Sequence, residues 1–369
     1  MTCMNSIPDF NRNVFCILGI PFDAVSEDFV LQRILESAQT SRKLHITTPN
    51  LNFLISAQSD HAFRNSIINS NLSIADGMPV VWLAKFLQIP VKKRIAGSNM
   101  FESLRKYATG SISVFLLGGH EKIASTACSL LNSEKKGVSC AGYEYPGFGT
   151  IESMSDGKLI SRINDSKADF LVLALGARKA QLWIDYNKYR IRIPVVCHLG
   201  AVLNFVACSV KRAPVWMQKS GLEWIWRIKE EPKLWRRYLY DGLYFLFLIV
   251  KFGLPHKWYL LRNEPRNIDH NSSSIEAESD SDHYTIHVSG AWTKQNIAPV
   301  RQYLEDSARS GKNIRLNLEK VTYVDSHFIG LLVLLYGYQM LNNKHFNIIS
   351  ISDKLNRLFE YSMVDYLLM

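Results

Sequence analysis

The chain has 369 residues, of which 47% are apolar and 21% charged, a composition that excludes a disordered or fibrous protein and supports a core of normal size. At this length two domains are expected rather than one. The formal net charge of +10 is unevenly spread, because residues 1–262 carry 33 basic and 20 acidic side chains and residues 263–369 carry 10 and 13.

The six cysteines show neither Cys-x-x-Cys nor Cys/His spacing, which argues against a zinc site and a secreted disulfide scaffold. The N-terminus lacks the basic start and apolar stretch of a signal peptide. The longest apolar run, residues 243–250, is shorter than the roughly 20 residues that span a bilayer. We therefore expect a cytoplasmic protein that does not cross the membrane.

Strand-like and helix-like segments alternate along residues 14–250. Apolar runs predict strands at 14–18, 44–47, 113–117, 169–175 and 194–198, and amphipathic spacing predicts helices at 28–39, 52–66, 120–132 and 179–189. Strands that are apolar on both faces and alternate with helices indicate a covered parallel sheet, hence an α/β fold. Such folds bind ligands beyond the carboxyl ends of the strands, where Gly118-Gly119, Gly176 and Gly200 fall.

Residues 211–262 differ in composition from the preceding part. They hold five of the eight tryptophans and 11 basic residues against 4 acidic ones. Aromatic rings, cations and a short apolar run favour a segment at a membrane interface. A packed helical subdomain with an exposed basic face is the alternative.

Residues 263–282 are rich in serine and acidic residues and predict a flexible linker. Within them, Asp280-Ser281-Asp282 matches the metal-binding Asp-x-Asp pattern only by accident of composition. Residues 283–369 predict a small separate α/β domain, with strands at 284–288, 314–318, 321–324 and 348–351 and helices at 297–308, 328–341 and 355–361.

Three groups of polar residues are candidates for chemistry. Thr48, Pro49 and Asn50 lie between a strand and a helix, where they meet a ligand or only cap the helix. Asp76 is placed to accept a proton from a substrate hydroxyl, or else belongs to an Asp-Gly turn. A set of arginines offers bidentate binding of a diphosphate, or is merely solvated surface: Arg94, Arg212, Arg227, Arg236 and Arg237.

Eight short stretches within residues 14–240 resemble, in order, the WecB/TagA/CpsF glycosyltransferase family. They are TPN at 48–50, ADGMP at 75–79, KRIAGS at 93–98, FLLGG at 115–119, GYEYPGF at 142–148, LALGARK at 173–179, RAPVW at 212–216 and GLEWIWRIKEEP at 221–232. One stretch would be a weak signal, whereas the shared order of all eight is specific.

The resemblance implies a Rossmann-like transferase core at 1–210 with a membrane-binding helical appendage at 211–262. The implied bacterial enzyme works at the inner face of the cytoplasmic membrane in exopolysaccharide or envelope glycan synthesis. It moves a hexose, N-acetylmannosamine-like in the best-known members, from a UDP-sugar to an undecaprenyl-diphosphate-linked acceptor. The implied reaction inverts the anomeric centre and needs neither a metal ion nor another cofactor.

The resemblance also implies roles for individual residues. Asp76 matches the general base, and Thr48 and Asn50 match pocket residues. Appendage arginines, here Arg212, Arg227 and Arg236 or Arg237, close over the donor diphosphate at the membrane. We assign further substrate contacts to Arg94, Gly118, Gly119 and Gln181. Copies of the core often associate in this family, and no nucleic-acid partner is expected.

Residues 283–369 resemble a STAS domain, the fold of anti-sigma-factor antagonists, around YVDSHFIG at 323–330. In that family the serine that matches Ser326 is phosphorylated by a partner kinase, which adds about −1.5 to −2 charge at a helix N-terminus. The alternative is that Ser326 only caps the helix. The tail is accordingly expected to bind a regulatory protein partner or kinase.

Several positions depart from the transferase family's pattern. Ala180 and Gln181 replace a glutamine and a glutamate, Asn204 replaces an aspartate, and Cys208 replaces a glycine. Lys93 and Asn99 likewise stand where acidic residues are usual. These departures indicate a different donor sugar or weakened catalysis. We expect a working transferase; the alternative is a weakened transferase-fold protein that acts as a STAS-mediated regulator or scaffold.

Overall fold

The computed structural model describes residues 7–106, 112–263 and 273–368, apart from the side chain of Lys219. In these ranges the chain forms a parallel-sheet domain, a helical appendage and a small C-terminal α/β domain. The predicted fold class is confirmed by the two separate sheets, each of which packs against helices.

The N-terminal domain contains these strands: β1 (Val14–Ile17), β2 (Ile20–Asp23), β3 (Leu44–Thr47), β4 (Leu72–Ser73), β5 (Ile112–Gly118), β6 (Val138–Glu144), β7 (Phe170–Ala174) and β8 (Val195–His198). Six of them form one parallel sheet in the order β4-β3-β8-β7-β5-β6. The central strand β7 is buried along nearly its whole length, as expected for a sheet with helices on both faces.

The helices of this domain are α1 (Glu27–Thr40), α2 (Leu51–Ser59), α3 (His61–Ile68), α4 (Met78–Phe86), α5 (Gly97–Lys106), α6 (Glu121–Glu134), α7 (Gly157–Asp165), α8 (Ala177–Asn187) and α9 (Val202–Val206). The helix predicted at 52–66 is two helices. Asp60 separates them, because its backbone ends α2 and its carboxylate accepts the Phe63 N–H at the start of α3.

The first predicted strand does not belong to the large sheet. β1 pairs antiparallel with β2 as a separate hairpin, and Leu18 and Gly19 form its turn with positive φ angles. Cys128 of α6 and Cys140 of β6 form a disulfide that their spacing had not indicated.

The appendage begins with α10 (Val215–Ser220) and α11 (Glu223–Glu230). A continuous 32-residue helix follows, Pro232–Asn263, which includes α12 (Trp235–Leu248), a π-helical segment (Ile249–Gly253) and α13 (Leu254–Asn263). By length and hydropathy alone this helix could cross a bilayer, which the short apolar run had not suggested.

The two faces of the long helix are in different surroundings. One face packs on the protein and buries Asp241, Leu248, His256 and Tyr259; Asn52 of α2 donates its amide N–H to Asp241 Oδ1 at 3.3 Å. The other face exposes a row of large apolar side chains that are 49–68% accessible: Leu239, Leu243, Leu246, Val250, Leu254 and Leu261.

The C-terminal domain consists of β9 (Ser274–Ser279), β10 (His283–Trp292), α14 (Ala298–Ser310), β11 (Asn313–Val324), α15 (Ser326–Leu341), β12 (Phe346–Ile351) and α16 (Asp353–Tyr361). Its sheet has the order β12-β11-β10-β9, in which only β9 runs antiparallel to its neighbour. The strands predicted at 314–318 and 321–324 are one strand, β11.

The predicted linker at 263–282 is partly wrong. Residues 264–272 lie outside the described residues, but residues 274–279 form the edge strand β9. Asp280 lies in the turn that follows, and its carboxylate accepts the backbone N–H groups of Asp282 and His283 at 2.8 and 2.7 Å. The Asp-x-Asp pattern is thus part of a hairpin turn.

Helix α15 attaches the C-terminal domain to the hairpin β1–β2. Val14 and Cys16 of the hairpin share one buried apolar cluster with this domain. Gly330 permits the close approach, since a Cβ there would lie 3.1 Å from the Val14 carbonyl oxygen. Tyr366 adds a polar contact by donating its hydroxyl to the Gly19 carbonyl at 2.7 Å.

Candidate active site

Three loops meet at the carboxyl edge of the sheet, near the end of β4. The Asp76 N–H donates to the Pro49 carbonyl at 3.0 Å, and the Ile95 N–H donates to the Ala75 carbonyl at 2.9 Å. The stretches TPN, ADGMP and KRIAGS, which are separate in sequence, are therefore neighbours in space. This is the edge at which α/β folds bind ligands.

Arg94 connects two carboxylates at this place. Its Nε lies 3.4 Å from Asp76 Oδ1, and its Nη1 lies 2.7 Å from Glu223 Oε2. The Arg94 and Glu223 side chains are 14% and 19% accessible, whereas Asp76 is 27% accessible. Asp76 is thus the group of the three most open to an incoming substrate.

The surroundings of Asp76 act on its proton affinity in opposite directions. Desolvation is the largest effect and raises the pKa of the carboxyl, and the nearby Glu223 charge raises it further. Arg94, a hydrogen bond from the Gly97 backbone and the more distant Arg227 lower it. The net pKa lies above the usual value, which suits a group that must take up a proton.

Gly97, the first residue of α5, has no room for a side chain. A Cβ there would collide with Leu199 after β8 and would lie 3.6 Å from the Thr48 methyl group. This close approach brings the N-terminal end of α5 to the Asp76 carboxylate, where the helix dipole favours negative charge.

Thr48 and Asn50, which we predict to be pocket residues, lie close to the loop that carries Asp76. Thr48 is buried at the end of β3. Asn50 caps α2, because its Oδ1 accepts the Phe53 N–H at 3.3 Å, so the capping interpretation of Asn50 holds at least in part.

Arg212 and Arg227 approach the same region around an aromatic ring. Their guanidinium carbons lie 5.5 and 5.1 Å from the centroid of Phe205, which follows β8 in α9. Arg212 also donates to Ser98 Oγ at 3.2 Å and to the Asn99 side-chain oxygen. A cavity of about 260 Å³ between α5 and α9 borders Arg212 and Phe205, but its lining does not include Asp76 or Arg94.

Four of the predicted substrate contacts are not brought into this site. Arg236 and Arg237 lie on α12, where they pack over Trp235 and Tyr238, because the helix turns both outward. Gln181 is fully buried and donates to Thr47 Oγ1 at 3.0 Å, so a substrate cannot reach it. Gly118 packs against β7. A Cβ at position 118 would lie 2.7 Å from the Ala174 carbonyl oxygen, so the position has no room for a side chain.

Gly119, by contrast, lies at the carboxyl edge of the sheet, directly after β5. Its N–H donates to the Ala174 carbonyl at 2.9 Å, and a Cβ would lie 3.2 Å from Leu203 of α9. With φ at +70° it needs the conformational freedom of glycine.

The departures from the family pattern lie mostly away from Asp76. Ala180 and Gln181 are both fully buried under the sheet. Cys208 adopts a φ of +54°, a left-handed conformation that glycine adopts more readily than cysteine. Asn99 still serves as a hydrogen-bond acceptor for Arg212.

Sequence reasoning missed two residues of this site. Glu223 lies within the GLEW stretch, but nothing in a single sequence joins it to Arg94. Phe205 stands between two arginines and follows the departure at Asn204. Within residues 7–106, 112–263 and 273–368, no group of three or more His, Cys, Asp or Glu side chains could hold a metal ion.

Ser326 is the first residue of α15 but not its cap. Asp325 is the N-cap and accepts the Phe328 N–H at 2.9 Å, so the capping interpretation of Ser326 is wrong. The Ser326 hydroxyl instead donates to the Cys16 carbonyl of the hairpin at 2.8 Å. Its neighbour His327 is buried, which lowers its pKa to about 4, and its Nδ1 lies 2.6 Å from the Val14 carbonyl.

Comparison with known proteins identifies the families that the two parts of the chain match. The profile of the glycosyl transferase WecG/TagA/CpsF family matches residues 15–258. The chain belongs to this family. It is a glycosyltransferase, and residues 275–369 match a second profile, described as the Mlab, STAS domain.

Curated relatives of this glycosyltransferase include proteins from Staphylococcus aureus strains NCTC 8325 / PS 47 and COL. Both carry the name N-acetylglucosaminyldiphosphoundecaprenol N-acetyl-beta-D-mannosaminyltransferase. Each is 28% identical over 214 residues, which are 57% of this chain and 82% of the relative. A solved structure titled "crystal structure of SsGBP and GDP complex" covers 69% of the chain at 13% identity, but its TM-score of 0.22 carries no weight.

Proposed function

We propose that this glycosyltransferase moves a hexose, N-acetylmannosamine-like or related, from a UDP-sugar to an undecaprenyl-diphosphate-linked acceptor. Its place would be bacterial exopolysaccharide or envelope glycan synthesis. The observation that carries the proposal is the Asp76 carboxylate, partly buried yet 27% accessible, which lies between Arg94 and the start of α5 at the ligand-binding edge. The printed activity of the Staphylococcus aureus relatives supports the same class of acceptor.

Asp76 acts as the general base in this proposal. It takes the proton of an acceptor hydroxyl while that oxygen forms a bond to the anomeric carbon from the face opposite the donor diphosphate. The bond between the anomeric carbon and the diphosphate oxygen breaks, and UDP leaves with the bonding electron pair. The product therefore has the inverted configuration.

Arginine side chains take the place of a metal ion at the leaving group. Arg212 and Arg227 both lie within 5.5 Å of the Phe205 ring centroid, so two guanidinium groups are available together to a diphosphate. Bidentate guanidinium contacts stabilise the charge that develops on departing UDP. Arg236 and Arg237 are not part of this binding set.

The long appendage helix lies on the inner surface of the cytoplasmic membrane. Its outer row of leucines faces solvent, and its inner face buries Asp241 and His256 against the protein. A spanning orientation would strip that inner face from the core and move both polar groups into hydrocarbon. An in-plane orientation keeps these contacts and inserts only the leucine row.

UDP release tests the proposal directly. The full chain, a panel of UDP-sugars and a short-chain lipid-diphosphate acceptor should yield UDP and an inverted glycoside, with and without a metal chelator. Asp76→Asn should lose at least 100-fold in kcat, since general base catalysis contributes about 10²–10⁴. A wild-type protein that turns over no donor on the panel would instead favour a catalytically weakened scaffold.

A further inference from the structure

Glu223 contributes a second carboxylate to the site from outside the transferase core. It is the first residue of α11 and therefore belongs to the appendage, whereas Asp76 and Arg94 belong to the core. Arg94 connects the two, with ion pairs of 2.7 Å to Glu223 and 3.4 Å to Asp76.

The turn before α11 is fitted closely onto the core. Gly221 has a φ of +80°, and a Cβ at this position would lie 2.8 Å from the Trp82 ring and 3.2 Å from Met78. Trp82 and Met78 lie on α4, which begins two residues after Asp76. The position of Glu223 is therefore set by the contact between the appendage and the helix that follows the base.

From this arrangement we infer that Glu223 is a positioning residue: it fixes the Arg94 guanidinium beside Asp76, so that the base is correctly oriented only while the appendage is seated on the core. Without Glu223, Arg94 would keep a single, longer ion pair and could swing to bind Asp76 in a bidentate manner. Such a contact would occupy both carboxylate oxygens and compete with the acceptor hydroxyl.

The charges around Asp76 make this inference measurable. The groups that face it are Arg94, Glu223, Arg227 and the buried thiol of Cys197, whose pKa is raised by burial and which stays neutral. Removing the negative charge of Glu223 leaves the cations unopposed, so the pKa of Asp76 should fall. This shift tests whether Glu223 acts on Asp76 as a neighbouring charge, and the positioning role itself is tested by how the loss divides between kcat and KM.

The test compares Glu223→Gln and Glu223→Ala with the control Glu230→Gln at the far end of the same helix. The inference rests on the proposed function, so the first readout is kcat/KM against pH. We expect a loss of tenfold or more in kcat for Glu223→Ala with little change in KM, partial rescue in Glu223→Gln, and a shift of the acidic limb to lower pH in both. Glu230→Gln should behave as wild type.

A second readout does not depend on turnover. The Asp76 carboxyl is titrated by ¹³C NMR of the full chain with labelled aspartate, and Asp76→Asn identifies its signal. A lower Asp76 pKa in Glu223→Gln, but not in Glu230→Gln, supports the part of the inference that places Glu223 beside Arg94 and Asp76, even if no donor on the panel is used. Folded Glu223 variants with wild-type pKa, or with wild-type kcat and pH profile, would overturn it.

Discussion

Replacing the outward leucines of the long helix should release the enzyme from membranes. The proposed change is Leu243→Gln, Leu246→Gln and Leu254→Gln together, at positions that are 62%, 58% and 49% accessible. Glutamine is a good helix former, so the helix itself should persist. None of the three side chains lies on the face that buries Asp241 and Leu248.

The expected magnitude follows from the exposed area. Complete burial of a leucine side chain is worth about 1.5–3 kcal/mol, and roughly half of each chain is free to enter lipid, which gives about 1 kcal/mol per position. Three positions give about 3 kcal/mol, or roughly a 150-fold lower partition coefficient. The basic residues of the appendage retain some attraction to anionic lipid, so binding should weaken rather than vanish.

The assay is sedimentation of the full chain with vesicles that contain phosphatidylglycerol. The control is Met340→Gln with Ile349→Gln, two residues of the C-terminal domain that are each 46% accessible, and it should bind as wild type. Turnover of a short-chain soluble acceptor should be unaffected in both variants. Vesicle binding by the leucine variant that equals wild-type binding would refute the in-plane orientation. Membrane-bound wild-type protein that alkaline carbonate does not extract would also refute it, because such resistance indicates a spanning helix.

Three further predictions address the site and the attached domain. Gly97→Ala should displace the start of α5 from Asp76, since its Cβ would collide with Leu199, and kcat/KM for UDP release should fall at least tenfold. The matched control Gly157→Ala, at the first residue of α7 where a Cβ has open space, should stay active. Because the Asp76 pKa is raised and a base must be ionised, activity should fall as pH decreases through a value above 3.8; an acidic limb at or below 3.8 would contradict the assignment. Gly337→Val should push α15 away from Ile68 and lower the free energy of unfolding, measured with denaturant, by about 1–3 kcal/mol. Gly242→Ala, at a position in α12 with open space around it, should instead raise the free energy of unfolding by up to about 1 kcal/mol.

The parallel strands could be predicted because burial on both faces leaves continuous apolar runs. β3, β5, β7 and β8 follow this pattern and were predicted within two residues. β4 has only two residues, and the second half of β6 alternates between exposed and half-buried residues. Neither strand therefore leaves a continuous apolar run in the sequence. The first strand was recognised as a strand, but a single apolar run does not reveal that its partner is the adjacent β2 and not the large sheet.

The linker shows where composition is a poor guide. Ser274–Ser279 is polar and acidic, which is typical of disordered segments, yet it forms β9. Its residues alternate between exposed and half-buried, and it pairs along only one side, with β10. An edge strand needs few apolar residues because its backbone hydrogen bonds to the neighbouring strand, and charged side chains protect its free edge.

The composition of the active site explains why only part of it could be found from sequence. Asp76, Thr48 and Asn50 follow strands of one sheet, so topology alone brings them together. Glu223 reaches the same point from a separate helical unit, and no periodicity or strand end predicts that contact. If the Arg94 ion pair with Glu223 orients the base as inferred, the appendage supplies both Glu223 and the proposed diphosphate contacts Arg212 and Arg227. A molecule with its appendage unseated would then lack the oriented base and these arginines together. This coupling would limit transfer to enzyme that is assembled for its membrane-linked acceptor, which is a physical reason for a site divided between two structural units.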